Sequence, residues 1–261
     1  MSASIDSMLL LLAFAGFIAG FIDAIAGGGG MITVPALMLA GLPPVEALGT
    51  NKLQSLFGSS SATISYARKG HVNIKEQLPK ALMSGLGAVF GALLATYIPG
   101  DILYGLLPIL LVAIAIYFVI KPNIGDISRS ERMKPFIFGV TIVPLIGFYD
   151  GLFGPGTGSF FMICFVSLAG FSLLKATAHT KLLNFASNLG SFLAFAAVGA
   201  INWKVGLVMG VAQIFGATAG AHLAMHVGSK LIKPLLIVTC IALTIRLLME
   251  PTNPLRMWIG L

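Results

Sequence analysis

The sequence predicts an all-α polytopic membrane protein built from two homologous repeats. Three observations lead there. Charged residues make up 10% of the 261-residue chain, against about 25% in an ordinary soluble domain, so charge is too scarce to cover a water-facing surface. The chain is 57% hydrophobic with a mean hydropathy of +0.97, and several apolar runs approach the ~20 residues needed to cross a bilayer. A G-F-x-D opening followed by a glycine-rich break occurs twice, as "GFIDAIAGGGG" at 20–30 and "GFYDGLFGPGTG" at 147–158. Continuous apolar blocks exclude a transmembrane β-barrel, which alternates residue by residue.

Each repeat reads as five apolar pieces: 7–26, 31–42, 46–67, 76–98 and 102–120 in the first, and 135–153, 158–170, 173–198, 204–226 and 231–249 in the second. The first two pieces of each form a helix pair broken by glycine, and the other three are spanning helices. Repeat 1 therefore covers 1–120 and repeat 2 covers 135–261, joined by the polar linker 121–134. The first piece is mature structure rather than a signal peptide, because it lacks a basic start and contains Asp23. Duplication is further supported by "GTNKLQSLFGSSS" (49–61) aligning with "AHTKLLNFASNLG" (178–190), which superposes Lys52 on Lys181. "AVFGA" (88–92) likewise aligns with "QIFGA" (213–217).

Basic residues set orientation. Arg68, Lys69, Lys75 and Lys80 lie between the third and fourth pieces, and Lys121, Arg129, Arg132 and Lys134 lie in the linker. Both segments are expected in the cytoplasm. Five crossings per repeat give inverted halves, whereas four give parallel ones, and the charge rule scores both equally. Inversion is favoured, because the first piece alone can span and inverted repeats are common in transporters. The net charge of +7 belongs mostly to these loops and implies no nucleic-acid partner.

A glycine run inside a bilayer is costly unless it lines a cavity. Gly27, Gly28, Gly29 and Gly30, and Gly154, Gly156 and Thr157 with Pro155, should each end one helix and begin another near mid-membrane. The new helix offers free N–H groups and a positive dipole end, which suit an anion. The plainer reading is that the glycines only permit close helix packing. Lys52 and Lys181 sit in "TNK" and "HTK" near the start of the third piece of each repeat. Intramembrane ionisable residues face a cavity or a partner. The lysines could serve an anionic substrate, or pair with Asp23 and Asp150. Thr50, Asn51, Gln54, Ser55, His179, Thr180, Asn184 and Asn188 could line the path, with Asn51/Ser55 and Thr180/Asn184 sharing a face at i, i+4. Asp23 and Asp150 are the candidates for coupling to a proton. His222 and His226 have no third ligand in the pattern, so no metal site is expected. Cys164 and Cys240 read as small buried hydrophobes. Tyr66, Tyr97, Tyr104 and Trp203 read as interfacial anchors.

These paired motifs resemble the sulfite exporter TauE/SafE family of membrane transporters, through "GFIDAIAGGGGMITVPAL" with "ALGTNKLQS" and "GFYDGLFGPGTGSFF" with "HTKLLNFASN". The resemblance spans roughly 10 to 249. It implies secondary transport of small sulfur-containing anions, such as sulfite and organosulfonates, across the bacterial inner membrane. It carries motif roles onto Asp23, Gly27 to Gly30, Asn51 and Lys52, and onto Asp150, Gly154, Gly156, Thr180 and Lys181. Pro155 and Thr157 interrupt the second glycine run, so the halves are not equivalent. The expected function is a secondary transporter, in the exporting direction, with alternating access at a mid-membrane site between the broken helices. Its partners are a small anion, the lipid bilayer and a coupling proton, with no cofactor. An anion channel is the main alternative. An intramembrane aspartyl protease using Asp23 and Asp150 is weaker, since neither aspartate follows a G-x-G.

Overall fold

The computed structural model describes residues 2–99 and 130–227, with scattered positions in 101–116 and 234–257. The fifth apolar piece of each repeat and most of the linker lie largely outside the described residues, as do Tyr104 and Cys240.

Helices account for the described elements: α1 (Ser2–Ala26), α2 (Gly29–Leu39), α3 (Pro44–Arg68), α4 (Ile74–Ala95), α5 (Pro135–Val140), α6 (Ile142–Leu152), α7 (Thr157–Ser167), α8 (Leu173–Ala197) and α9 (Trp203–Val227). Four stretches among the described residues are long and apolar enough to cross a membrane: 6–26, 74–95, 135–152 and 203–227. With α3 and α8, each 25 residues long, they make the chain a polytopic helical membrane protein. The third of these stretches is interrupted at Thr141, between α5 and α6. Pro144 causes this, since it has no N–H to donate to Val140 four residues earlier.

The two glycine breaks are where the sequence placed them. α1 stops at Gly27, whose φ of 78° is left-handed and whose N–H donates to Asp23 O at 2.8 Å. Glycine meets that geometry without a Cβ penalty. Only Gly27 and Gly28 form the break, because Gly29 and Gly30 already belong to α2. In the second half, Gly154 (φ 87°) and Gly156 (φ 83°) flank Pro155 before α7 begins. α2 and α7 have 11 residues each. At 1.5 Å per residue they reach about halfway through a hydrocarbon core of ~30 Å.

Packing crosses between the halves. α1 lies on α9, where Gly16 and Gly20 approach Met209 and Gln213, and Gly216 and Gly220 approach Phe17 and Phe21. α4 lies on α6, where Gly87 and Gly91 approach Pro144 and Phe148. A Cβ on Gly91 would sit 1.9 Å from Phe148 O, and one on Gly216 2.0 Å from Phe17 O. Such contacts hold only with glycine, and small residues are the usual means of bringing membrane helices together. Leu10, Leu11 and Phe14 on α1, Leu82, Leu86 and Phe90 on α4, and Val211 and Phe215 on α9 are exposed outward, as a lipid-facing belt requires. Tyr97 and Trp203 are also exposed. Tyr66 is not an interfacial anchor: it is fully buried, and its hydroxyl donates to Ala24 O at 2.9 Å.

Candidate functional site

α3 and α8 pack on each other and carry the buried polar residues. Thr50, Asn51, Lys52 and Gln54 are buried on α3, and Thr180, Lys181, Asn184 and Asn188 on α8. α3 begins with Pro44 in its first turn, where the missing N–H would have had no helical partner.

Each lysine reaches the aspartate of the other half. Lys52 Nζ lies 2.8 Å from Asp150 Oδ1 and also donates to the Asp150 carbonyl. Lys181 Nζ lies 3.1 Å from Asp23 Oδ2 and donates to the Asp23 carbonyl. Both carbonyls lie in the last turn before a break: Asp23 O also accepts from Gly27 N–H, whereas Gly154 N–H turns to Tyr149 O and leaves Asp150 O to the lysine. The lysines therefore bind two things at once: a carboxylate and the negative end of a broken helix.

The aspartates also meet the half-helix N-termini. Gly29 N–H, in the first turn of α2, donates to Asp23 Oδ1 at 3.2 Å. Thr157, the first residue of α7, donates its hydroxyl to Asp150 Oδ1 at 2.7 Å. At α2 a carboxylate thus takes up an N–H of the positive helix end that could attract an anion, and at α7 a carboxylate takes the hydroxyl of the first residue. The two breaks touch: a Cβ on Gly27 would fall 2.4 Å from Gly158 C, and Ser159 Oγ donates to Ala26 O at 3.0 Å.

Between the breaks is a central cavity of about 20 Å³, lined by Asp23, Gly27, Gly30, Asn51, Ser55, Asp150, Gly154, Thr157, Gly158, Asn184 and Asn188. It has room for about one water, not for an anion of several heavy atoms. Asn51 Oδ1 is occupied by Thr33 (2.5 Å) and Gln54 (3.1 Å), which leaves its Nδ2 as the free donor. Asp150 Oδ2 and Asn184 Oδ1 have no hydrogen-bond partner among the described residues.

The structure brings half of the sequence candidates to the lining of this centre. Thr50 Oγ1 instead accepts from Asn202 N–H at 2.9 Å, tying α3 to the start of α9. Gln54 serves Asn51 rather than the cavity. Gly28, Gly29, Gly156 and Thr180 do not line it, and neither do Lys52 and Lys181, whose ammoniums are turned onto the aspartates. His179 lines a second, larger cavity of about 400 Å³ at the end of the molecule where α3 ends and α4, α5 and α8 begin. Asn188, a path candidate, lines the centre, and Gly158 lines it beyond the sequence candidates. Gly158 belongs to the second glycine motif, and Asn188 lies four residues after Asn184 on the same face. Gln77 and Lys80, which line the second cavity, carry no motif signal. His222 and His226 are exposed, each with Nδ1 against the carbonyl four residues back.

Two breaks in contact, each closed by a lysine from the other half, within a bundle of membrane-crossing helices, define a membrane transporter. The chain belongs to the sulfite exporter TauE/SafE family, whose sequence profile matches residues 12–247. It is 65% identical over 253 residues to "Probable membrane transporter protein ORF9" of Sinorhizobium sp, covering 97% of both chains. It is 44% identical to "Probable membrane transporter protein YfcA" of Escherichia coli K12, covering 97% of this chain and 95% of the relative. A more distant relative is "Probable membrane transporter protein YunE" of Bacillus subtilis, 24% identical over 92% of this chain and 97% of its own. No solved structure matches the chain.

Proposed function

We propose that the protein is a secondary transporter that exports small anions, sulfur-containing oxyanions foremost, across the bacterial inner membrane. The observation that carries this reading is the reciprocal pairing of Lys52 with Asp150 and Lys181 with Asp23 at two touching helix breaks. A lysine and a helix N-terminus meet at each break, and the Asn51 amide lies beside Gly30 at the first; all of these suit an oxyanion. The aspartates hold these groups while the site is empty. Protonation of an aspartate releases its lysine and its helix end to a substrate, which couples the proton to the anion.

The two halves are read as repeats, in the inverted arrangement that the sequence favours. What supports the repetition is that α3 and α8 are each 25 residues long, each follows an 11-residue half-helix, and each sends a lysine to the opposite break. Rocking of the repeats would open the centre to either side in turn. The reading of the chain as a non-enzyme is supported by the aspartates themselves. Each is paired with its own lysine, whereas a protease dyad shares one proton between two carboxylates.

The test is uptake and counterflow of labelled sulfite, sulfate and a small sulfonate in proteoliposomes, with and without a proton gradient. Saturable counterflow that responds to the gradient is expected for one anion. Non-saturating flux without counterflow would make the protein a channel, and no flux of any of the three would remove sulfur oxyanions as the substrate.

A further inference from the structure

The second cavity is built differently from the centre. Its volume of about 400 Å³ is in the range of sites that take small organic molecules. Gln77 forms part of its wall and is only 3% exposed. Its Oε1 accepts from Lys80 Nζ at 3.4 Å, which fixes the orientation of the amide, since an ammonium can only donate. Nε2 is therefore the other end, a buried donor with no hydrogen-bond partner among the described residues. His179 Nδ1 is a second buried nitrogen in the same condition. Its ring is wedged between Phe165 and Phe171, at centroid distances of 5.8 and 4.8 Å.

Charge is layered in this cavity. Lys80 is half-buried beside Gln77, while the acids on the lining, Glu76 and Glu131, are exposed. Lys175 holds its ammonium 4.1 Å above the Phe171 ring, a cation–π contact that keeps the charge at the mouth. The deep wall thus offers the unpaired Gln77 amide donor, an imidazole nitrogen that donates in one tautomer, and one ammonium, next to the apolar surface of Phe138 and Phe165. The carboxylates are confined to the rim, so a buried cation would find no counter-charge at depth. A ligand that satisfies this wall is an oxyanion on a short apolar stem.

We infer that this cavity is a second binding site, a vestibule for a small organic sulfonate or carboxylate on the face that carries Arg68, Lys69 and Lys75. Its place on the route rests on the transporter reading, whereas ligand binding does not. His179 stands two residues before Lys181 on α8, so an occupied vestibule touches the helix that closes the centre.

Calorimetric titration of the full-length protein in detergent tests this, with ethanesulfonate, propionate and sulfite as probes. Ethanesulfonate or propionate should bind more tightly than sulfite, which has no stem. Gln77→Leu and Lys80→Met should each weaken that binding about 10-fold or more, the usual consequence of losing a hydrogen bond to a charged ligand. Lys80→Met changes a half-buried position, so it reports even if Gln77→Leu fails to fold. Binding of none of the probes, or binding untouched by Lys80→Met, would overturn the vestibule. Binding that depends on Gln77 and Lys80 in a protein with no flux in proteoliposomes would uphold the vestibule and refute the carrier. Flux with a KM unchanged in Lys80→Met would do the reverse.

Discussion

Lys52 holds Asp150 by one carboxylate oxygen. Oδ1 accepts from the ammonium at 2.8 Å and from Thr157 at 2.7 Å, while Oδ2 has no partner among the described residues. The pair is nearly sealed, with side chains 1% and 4% exposed. Removing one member therefore leaves a charge stranded. Lys52→Ala should destabilise the folded protein by about 3–5 kcal/mol, and Lys52→Met combined with Asp150→Asn should recover most of that loss. Thermal unfolding in detergent reads the comparison. A single variant as stable as the double would mean that the pair is not a structural unit.

Asp23 is the more accessible acid, at 15% side-chain exposure against 4% for Asp150. It is the better placed of the two to exchange a proton with water. In Asp23→Asn, counterflow should persist while its stimulation by a proton gradient disappears. The measurement is gradient-driven uptake set beside exchange at equal pH. Full gradient response in Asp23→Asn would assign coupling elsewhere.

The contact between Gly27 and Gly158 leaves no space for a side chain on either residue. A Cβ on Gly27 would also require an L residue at φ 78°. Gly27→Ala and Gly158→Ala should reduce the yield of folded protein sharply. Gly28→Ala meets nothing nearer than the flexible Met31 thioether at 3.5 Å, so its stability should fall by no more than about 1 kcal/mol. Equal losses in all three would show that glycine flexibility, rather than contact, governs this region.

Tyr66 donates its hydroxyl to Ala24 O near the end of α1. Tyr66→Phe keeps the ring and removes the donor, leaving a buried carbonyl short of one partner. The expected cost is about 1–2 kcal/mol in thermal unfolding. A neutral substitution would mean that another group satisfies Ala24 O.

The membrane class and the two breaks were legible because low charge and consecutive glycines are local, strong signals. The position of Lys52 and Lys181 on buried faces was legible too, since an ionisable residue in an apolar run has few alternatives. The partner of each lysine was not. "TNK" and "HTK" do not say which aspartate is near, and the crossed choice follows from which helices touch. Tyr66 was misread because tyrosine near a helix end suits both an interface and a buried hydrogen bond. Gln77 and Lys80 were passed over because they stand in a basic, polar loop-proximal stretch, and only folding brings His179 and the phenylalanines against them.

The glycine-lined contacts of α1 with α9 and of α4 with α6 also bear on how the protein is made. The first 120 residues leave the ribosome with two grooved helix faces whose partners have not yet been synthesised. Until α6 and α9 arrive, those faces have only lipid to pack against, so a message cut at the linker should yield two fragments that are competent only when expressed together.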